Sequence, residues 1–253
     1  MVVSNLSKYP EIATKLYPLL PQGIRFFDLS TFYEIFFKEI PISATSEIWF
    51  LENFHSSQKY LYDYLKRLID IVFAFVFGLI SLIFYPFIIL GILISSPGPI
   101  FYRQKRVGKD GKEFILTKFR TMIVGAEKNG PVWSSKNDPR VTAFGRFLRA
   151  SHFDELPQLW NILKGEMSLV GPRPERPEFV KELNEKISHY HLRHLVKPGL
   201  TGWAQINYPY GASVEDALKK LHFDLYYIKN RSLFLDISII LKTINIFLRQ
   251  FNS

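Results

Sequence analysis

Two adjacent acids, Asp154 and Glu155, are the residues of this 253-residue chain whose surroundings best suit chemistry. The guanidinium fork of arginine suits two-point contacts with phosphate. A carboxylate among such cations is expected to have a lowered pKa, to be ionised and to attack phosphorus, while its neighbour holds Mg²⁺. Arginines are frequent on both sides of the pair: Arg103, Arg106, Arg120, Arg140, Arg146, Arg149, Arg173 and Arg176.

A purely structural explanation of the two acids is also available. The stretch "SHFDELPQLWNILKG" predicts a helix that begins near Ser151, where Ser151 and Asp154 match a capping box. Pro157 would lie in the first turn and Gly165 at the C-cap. A capped helix in a basic protein and a phosphoryl-transfer site therefore both remain open, and they are compatible.

The composition favours anionic partners and a membrane boundary. Lys and Arg number 32 against 23 Asp and Glu, a net charge of +9, which favours phosphates, acidic lipids or nucleic acid. The chain has no cysteine, which excludes disulfides, thiolate metal sites and a cysteine nucleophile. Hydrophobic residues make up 47 % of the chain and 23 residues are Phe, so apolar surface is plentiful.

A long apolar segment runs from Ile71 to Tyr102 without a charged residue. Its first 24 residues would span about 36 Å as a straight helix, enough to cross a bilayer core of about 30 Å. Pro86 predicts a break inside it, and cations flank both ends, which favours the same side of the membrane for both. A re-entrant helix–break–helix fits these observations best, with a spanning helix and a buried core helix as alternatives.

Two further elements can be predicted from pattern. Asp110–Gly111, between "YRQKRVG" and "KEFILTKFR", indicates a β-hairpin. Near the C-terminus, apolar residues recur at three- and four-residue spacing, which predicts a helix that either lies in the membrane interface or packs on the core. These residues are Ile237, Ile240, Leu241, Ile244, Phe247, Leu248 and Phe251.

Four ordered motifs resemble a known family. They are "KRLIDIVFAFVFGLISLIFYPFIIL", "SPGPIFYRQKRVGKDGKEFILTKFRTM", "DPRVTAFGRFLRASHFDELPQLWNILKGEMSLVGPRPERPEF" and "LRHLVKPGLTGWAQIN". Together they resemble the bacterial sugar transferases, the monotopic polyprenyl-phosphate phosphoglycosyl transferases, from about Lys66 to Arg249. The tail "YGASVEDALKKLHFDLYYIKNRSLFLD" and the stretch 28–42 are similar to the exopolysaccharide-type branch.

The resemblance implies an activity and roles for particular residues. Family members move a sugar-1-phosphate from a UDP-sugar to undecaprenyl phosphate through a phosphosugar–aspartyl intermediate, at the cytoplasmic leaflet of the inner membrane, as the first membrane step of surface-glycan synthesis. Carried over, Asp154 is the nucleophile and Glu155 helps to hold Mg²⁺. The re-entrant break falls at Pro86. The residues expected to bind substrate phosphates are Lys118, Arg120, Arg149, Pro172, Arg173 and Lys197, the last standing where other members can carry Arg.

The expected fold is α+β and mostly helical, with a small hairpin-bearing sheet, amphipathic interfacial helices and one re-entrant membrane helix. We expect residues 1–57 to be the remnant of an N-terminal region of longer members, 58–95 the basic and membrane helices, and 96–253 the cytosolic catalytic domain. Membrane lipid is an expected partner, nucleic acid is not, and the aromatic N-terminal region is a candidate homodimer surface. The rival functions are a nucleic-acid-binding module and an inactive membrane scaffold of the same fold.

Overall fold

The computed structural model describes residues 2–3, 10–54, 59–126, 138–208, 211 and 213–251. Within these ranges the chain is mostly helical with three two-stranded sheets, which confirms the predicted α+β class. The strands are β1 (Val2–Val3), β2 (Phe27–Asp28), β3 (Phe101–Val107), β4 (Glu113–Phe119), β5 (Ser168–Val170) and β6 (Gly199–Thr201). The α-helices are α1 (Pro10–Leu16), α2 (Leu29–Phe36), α3 (Glu47–Phe54), α4 (Tyr60–Leu82), α5 (Tyr85–Ser95), α6 (Ala143–Ala150), α7 (Gln158–Lys164), α8 (Pro177–Lys186), α9 (Trp203–Asn207), α10 (Val214–Asn230) and α11 (Leu233–Phe251). The 3₁₀ helices are Tyr17–Gln22, Ile42–Ala44, Lys109–Gly111, Phe153–Glu155 and Tyr190–Leu195.

The apolar segment forms two helices, α4 and α5, with a bend of 60° between them. The turn lies at residues 83–84, so it precedes Pro86 instead of being centred on that residue. A proline in the first turn of α5 costs no helical hydrogen bond, and the break therefore falls just before it. In the described ranges no single helix has the length and apolar character to cross a membrane, whereas the bent pair together meets that test.

Asp236, in the first turn of α11, binds side chains of α4 and so attaches this helix to the rest of the protein. Its Oδ2 accepts hydrogen bonds from Tyr62 Oη and Lys66 Nζ, both at 2.8 Å. Its Oδ1 accepts from Tyr227 Oη at 2.9 Å, and the Tyr227 hydroxyl also contacts the carbonyl oxygen of Val170 at 3.2 Å. One carboxylate thus joins α4, α10, α11 and strand β5.

Arginines bind backbone carbonyl groups near both ends of the bent pair. In α4, Arg67 donates to carbonyl oxygens in the last turn of α7, with Nη1 at 2.6 Å from the oxygen of Ile162. Beyond the end of α5, the buried Arg120 donates to the carbonyl oxygens of Ser96 and Pro97. Since the last carbonyl groups of a helix lack partners within it, these guanidinium groups complete the helix ends.

The predicted hairpin is present as the antiparallel pair β3–β4, in register from Phe101 opposite Phe119 to Val107 opposite Glu113. Asp110 in the turn has a positive φ of 56°, a conformation that Asp tolerates better than most residues. Strand β4 ends at Phe119, and Lys118 near its end donates a hydrogen bond to Glu155, so the hairpin contacts the acidic pair.

Helix α10 lies in the largest hydrophobic core, where Leu221, Leu225 and Ile228 are fully buried. The N-terminal segment packs against the same core through Phe50 and Phe54 of α3. Backbone contacts hold the segment as well, because the indole Nε1 of Trp203 donates to the carbonyl oxygen of residue 38 at 2.8 Å. The N-terminal segment is therefore packed against α9 and α10 through Lys38 and helix α3.

Helix α11 exposes four of the seven apolar residues predicted to form its stripe. Of the others, Ile240 packs against the core and the ring of Phe247 contacts that of His152. Ile237, Leu241, Ile244 and Leu248 are each about half exposed, and Phe234 at the start of the helix is 82 % exposed. On the inner side of the helix, Ile239 is fully buried. The helix therefore packs on the core with one apolar side and leaves a second apolar side uncovered.

Candidate active site

Asp154 and Glu155 are both buried in the short 3₁₀ helix between α6 and α7. The prediction that a helix begins at Ser151 is wrong, because Ser151 ends α6 and its Oγ donates to the carbonyl oxygen of Phe147 at 2.9 Å. His152 follows with a positive φ of 55°, which turns the chain out of α6. The two acids therefore belong to a tight turn, and no capping box is formed.

Glu155 is held by two cations. Its Oε1 accepts hydrogen bonds from Lys118 Nζ at 2.6 Å and from Arg173 Nη2 at 2.7 Å. Burial alone would raise the pKa of the Glu155 carboxyl, but the charges of Arg173 and Lys118 outweigh it and hold that pKa well below its usual range. Glu155 is therefore ionised at neutral pH and joins strand β4 to the loop that follows β5.

Asp154 has a different environment. Within the described residues, no side chain or backbone group donates a hydrogen bond to its carboxylate. Burial raises the pKa of Asp154 to about 6, while the nearby charges of Lys118 and Arg149 oppose this shift. The expectation of a lowered pKa is thus wrong for Asp154 and holds for Glu155. At neutral pH most Asp154 is an ionised carboxylate with no hydrogen bond to hold it.

The loop that carries Arg173 is held by two other arginines. Arg193 Nη2 donates to the carbonyl oxygen of Arg173 at 2.9 Å, and Arg106 Nη1 donates to that of Pro174 at 2.9 Å. Pro172, predicted as a binding residue, contributes its carbonyl oxygen to the amide of Gly199 at 2.9 Å. The loop backbone is therefore fixed, and the Arg173 side chain reaches from it to Glu155.

Strands β5 and β6 bring the loop after β5 and the loop before β6 together through glycine contacts. A β-carbon on Gly171 would lie 2.4 Å from the carbonyl oxygen of Lys197, and one on Gly199 would lie 2.1 Å from the amide nitrogen of Gly171. Such distances exclude any side chain at either position. The glycines of "GPRP" and "PGLTG" are thus required for the close approach of the two loops.

Arg149 is oriented by Thr121, a residue that sequence reasoning did not single out. Its Nε donates to Thr121 Oγ1 at 2.9 Å, and the Thr121 carbonyl oxygen accepts from the amide of Thr142, the N-cap of α6. Thr121 is buried, next to the end of β4. It therefore links the hairpin to the helix whose last turn supplies Arg149.

Two predicted phosphate-binding residues lie elsewhere. Arg120 uses its guanidinium on the carbonyl groups at the end of α5. Lys197 Nζ lies beside Gly165 at the far end of α7, where a β-carbon on Gly165 would be 3.5 Å from it and 3.4 Å from Arg67 Nη2. The structure therefore brings Lys118, Arg149 and Arg173 to the acidic pair, and places Arg120 and Lys197 outside this group.

The acidic pair can offer only part of a metal site. Within the described ranges, no three His, Asp or Glu side chains are grouped as metal ligands. Mg²⁺ commonly keeps water and substrate phosphate oxygens and uses one or two protein carboxylates, which these residues can supply. Because Glu155 Oε1 is bound to two cations, its Oε2 is the oxygen that fits such an ion.

Comparison with known proteins identifies the family. The family model described as "Bacterial sugar transferase" matches residues 61–250. The chain is 42 % identical over 194 residues to a UDP-N-acetylgalactosamine-undecaprenyl-phosphate N-acetylgalactosaminephosphotransferase of Aeromonas hydrophila, covering 76 % of this chain and 46 % of that protein. It is 48 % identical over 159 residues to a UDP-glucose:undecaprenyl-phosphate glucose-1-phosphate transferase of Xanthomonas campestris pv. campestris, covering 62 % of this chain and 33 % of the relative.

A third relative matches over more of its own length. It is a UDP-glucose:undecaprenyl-phosphate glucose-1-phosphate transferase of Caulobacter vibrioides, 39 % identical over 187 residues, with 72 % of this chain and 69 % of the relative covered. The chain spans less than half the length of the Aeromonas and Xanthomonas proteins. The family match covers most of this chain and includes the acidic pair, the hairpin and both glycine-bearing loops. The chain belongs to the bacterial sugar transferase family.

Proposed function

We propose that this chain transfers a sugar-1-phosphate from a UDP-sugar to undecaprenyl phosphate, as the first membrane step of exopolysaccharide or other surface-glycan synthesis. The observation that carries the proposal is the contrast between the two adjacent acids. Glu155 is ionised and bound by Lys118 and Arg173, whereas Asp154 is buried and receives no hydrogen bond from the described residues. An unbound carboxylate beside fixed cations suits attack on a phosphate group.

The proposed reaction has two steps at one phosphorus atom. In the first, an Oδ atom of Asp154 forms a bond to the β-phosphorus of the UDP-sugar, the bond from that phosphorus to the bridging oxygen breaks, and UMP leaves. In the second, a phosphate oxygen of undecaprenyl phosphate attacks the same phosphorus, and the Asp154 carboxylate is released. The product is an undecaprenyl diphosphate sugar.

Residues around Asp154 have distinct roles in this proposal. Arg149 and Arg173 lie where they can neutralise phosphate charge, and Lys118 keeps the Asp154 pKa from rising further. Glu155 Oε2 would hold Mg²⁺, which would supply positive charge next to the phosphate oxygens. Backbone contacts fix the loop after β5 and the loop before β6. The charged side chains around Asp154 therefore need little rearrangement before the reaction.

We further propose that α4 and α5 form a re-entrant helix pair inserted from the cytoplasmic side of the inner membrane. In the first half of α4, Lys66 binds the carboxylate of Asp236 in α11, and Arg67 binds a backbone carbonyl group of α7. Just after α5, the backbone carbonyl group of Pro97 is bound by Arg120, which follows strand β4. Both ends of the bent pair are thus attached to the same folded body, which supports entry and exit on one side. The uncovered apolar stripe of α11 is the second element proposed to contact lipid.

The test uses the purified full chain in nanodiscs with Mg²⁺, undecaprenyl phosphate and a panel of UDP-sugars, with UMP release as the readout. We expect release with at least one sugar and loss of release in Asp154→Asn. Without the lipid acceptor, the wild-type protein should gain the mass of one sugar phosphate on Asp154, located by peptide mass spectrometry. UMP release by Asp154→Asn at the wild-type rate would contradict the proposed nucleophile. If the wild-type protein released no UMP with any sugar, an inactive scaffold would be favoured.

A further inference from the structure

His152 and Phe153, which immediately precede Asp154, each contact an aromatic ring of an apolar element. The imidazole ring of His152 meets the ring of Phe247 in α11 edge to face, with 4.3 Å between the ring centroids. The ring centroid of Phe153 lies 5.6 Å from that of Phe84, in the turn between α4 and α5. The turn that carries Asp154 is therefore in contact with both elements proposed to contact lipid.

The backbone of His152 directs the chain into the acidic pair. It has left-handed angles (φ 55°, ψ 17°), which glycine and asparagine adopt at a lower free energy than most other residues. The amide of His152 donates to the carbonyl oxygen of Arg149 at 3.3 Å, and its carbonyl oxygen accepts from the amide of Glu155 at 3.1 Å. A change of His152 to right-handed or extended angles would break these contacts and move Asp154.

The two residues before Asp154 differ in what holds their side chains. Phe153 packs against a hydrophobic cluster that includes Phe119 and Leu148, so several contacts fix its ring. His152 lies at the surface, where the ring of Phe247 packs against its imidazole. The conformation of His152 therefore depends on where α11 lies.

We propose that Phe247 is a positioning residue for Asp154, which keeps His152 in its left-handed conformation by packing against the imidazole ring. The inference rests on the proposed function, in which Asp154 attacks phosphorus. Phe247 acts through the backbone of His152 and does not touch the substrate. One turn earlier in α11, the hydroxyl groups of Thr243 and Thr201 are 2.8 Å apart, which holds the helix against β6 next to this ring contact.

The principal test compares Phe247→Ala in two backgrounds, the wild type and His152→Asn. Asparagine adopts positive φ readily, so the turn in His152→Asn should not need the ring contact. In the wild-type background, Phe247→Ala should lower kcat for UMP release about 3- to 10-fold, the rate equivalent of one aromatic contact. In the His152→Asn background, the same change should alter kcat by less than about 2-fold. Phe247→Tyr keeps the ring and should retain most of the wild-type kcat.

The matched control is Leu248→Ala, which shortens an exposed apolar side chain of the same helix. It measures the effect of altered lipid contact, so its effect on kcat should be the same in both backgrounds. Hydrogen–deuterium exchange gives a readout that does not need activity. Exchange of the Glu155 amide, which donates to His152, should be faster in Phe247→Ala and unchanged in Leu248→Ala.

Two results overturn the inference while leaving the proposed function intact. One is wild-type kcat in Phe247→Ala, and the other is an equal loss of kcat for Phe247→Ala in the two backgrounds. If His152→Asn is itself inactive, the exchange measurement decides, and an unchanged Glu155 amide in Phe247→Ala overturns the inference. If the wild-type protein releases no UMP from any UDP-sugar, the proposed function fails, and the role of Phe247 in it fails as well.

Discussion

Arg193 forms a 2.9 Å ion pair with Asp224 inside the protein, and the same guanidinium nitrogen holds the carbonyl oxygen of Arg173. The two side chains are almost completely enclosed, with exposed fractions of 7 % and 2 %. Tyr190 also contacts Arg193 through its hydroxyl group. A buried pair on α10 and the preceding 3₁₀ helix thus sets the position of the loop whose arginine binds Glu155.

We predict that Arg193→Met destabilises the folded protein by about 3–5 kcal/mol, since it leaves the Asp224 carboxyl buried without its partner. The double variant Arg193→Met/Asp224→Leu should be less destabilised than Arg193→Met, because no unpaired charge remains. The free energies of unfolding of Arg193→Met, of Asp224→Leu and of the double variant can be obtained from denaturant unfolding in detergent. Losses that simply add in the double variant would show that the two residues are not coupled.

The ionised carboxylate of Asp154 is predicted to destabilise the folded state of the protein. Because burial raises its pKa from 3.8 to about 6, the folded state binds a proton more tightly than the unfolded state does. The destabilisation of the folded state by ionised Asp154 is therefore absent below about pH 4. It reaches its full value above about pH 7, where the pKa shift corresponds to roughly 3 kcal/mol of unfolding free energy at most. Asp154→Asn should raise the unfolding temperature at pH 8 and have little effect at pH 4.

The matched control for this prediction is the neighbouring acid. The pKa of Glu155 is held low by Arg173 and Lys118, so its ionised form stabilises the folded state above about pH 5. Glu155→Gln should therefore lower the unfolding temperature at pH 8, opposite in sign to Asp154→Asn. Equal signs for the two variants would refute the difference in environment described for the pair.

The rate of the first chemical step should depend on pH through Asp154. Single-turnover UMP release needs the ionised carboxylate, so the rate should fall as pH is lowered through about 6. Lys118→Met removes a charge that lowers this pKa, and the acid limb should move to higher pH. If the acid limb of the pH–rate profile does not move in Lys118→Met, the group that titrates is not Asp154.

The absence of cysteine makes the membrane arrangement easy to test. Single-cysteine variants Tyr64→Cys, on an exposed face near the start of α4, and Lys112→Cys, in the hairpin turn, lie on either side of the bent pair. In intact cells a membrane-impermeant maleimide should label neither position, and in inside-out vesicles it should label both. Labelling of just one position in intact cells would indicate that the pair spans the membrane.

Local features were the most predictable from the sequence. Asp110–Gly111 identified the hairpin because few residues other than Asn, Asp and Gly adopt positive φ readily. Gly165 was correctly predicted as the C-cap of α7, where its φ is 86°. The start at Ser151 was wrong because the capping-box spacing is short, while the helix that precedes it runs up to Ala150 and uses Ser151 as its end.

Features that depend on distant contacts could not be predicted from composition or spacing. Arg120 was expected to bind phosphate because of its charge. Its guanidinium group instead donates hydrogen bonds to the carbonyl oxygens of Pro97 and Ser96, 23 and 24 residues earlier in the chain. The raised pKa of Asp154 comes from burial, which the sequence around it does not reveal. The separate position of Lys197 follows from the way β5 and β6 pair, a parallel contact between segments about thirty residues apart.

The contact between Lys66 and Asp236 joins residues 170 positions apart in the chain. At about 5–20 residues per second, a ribosome needs roughly 10–30 s to make the intervening polypeptide. During this interval α4 and α5 are complete but the carboxylate that secures them does not yet exist. In the proposed re-entrant arrangement, the apolar pair would therefore enter lipid before Asp236 is synthesised, and insertion would precede completion of the body to which α4 is anchored.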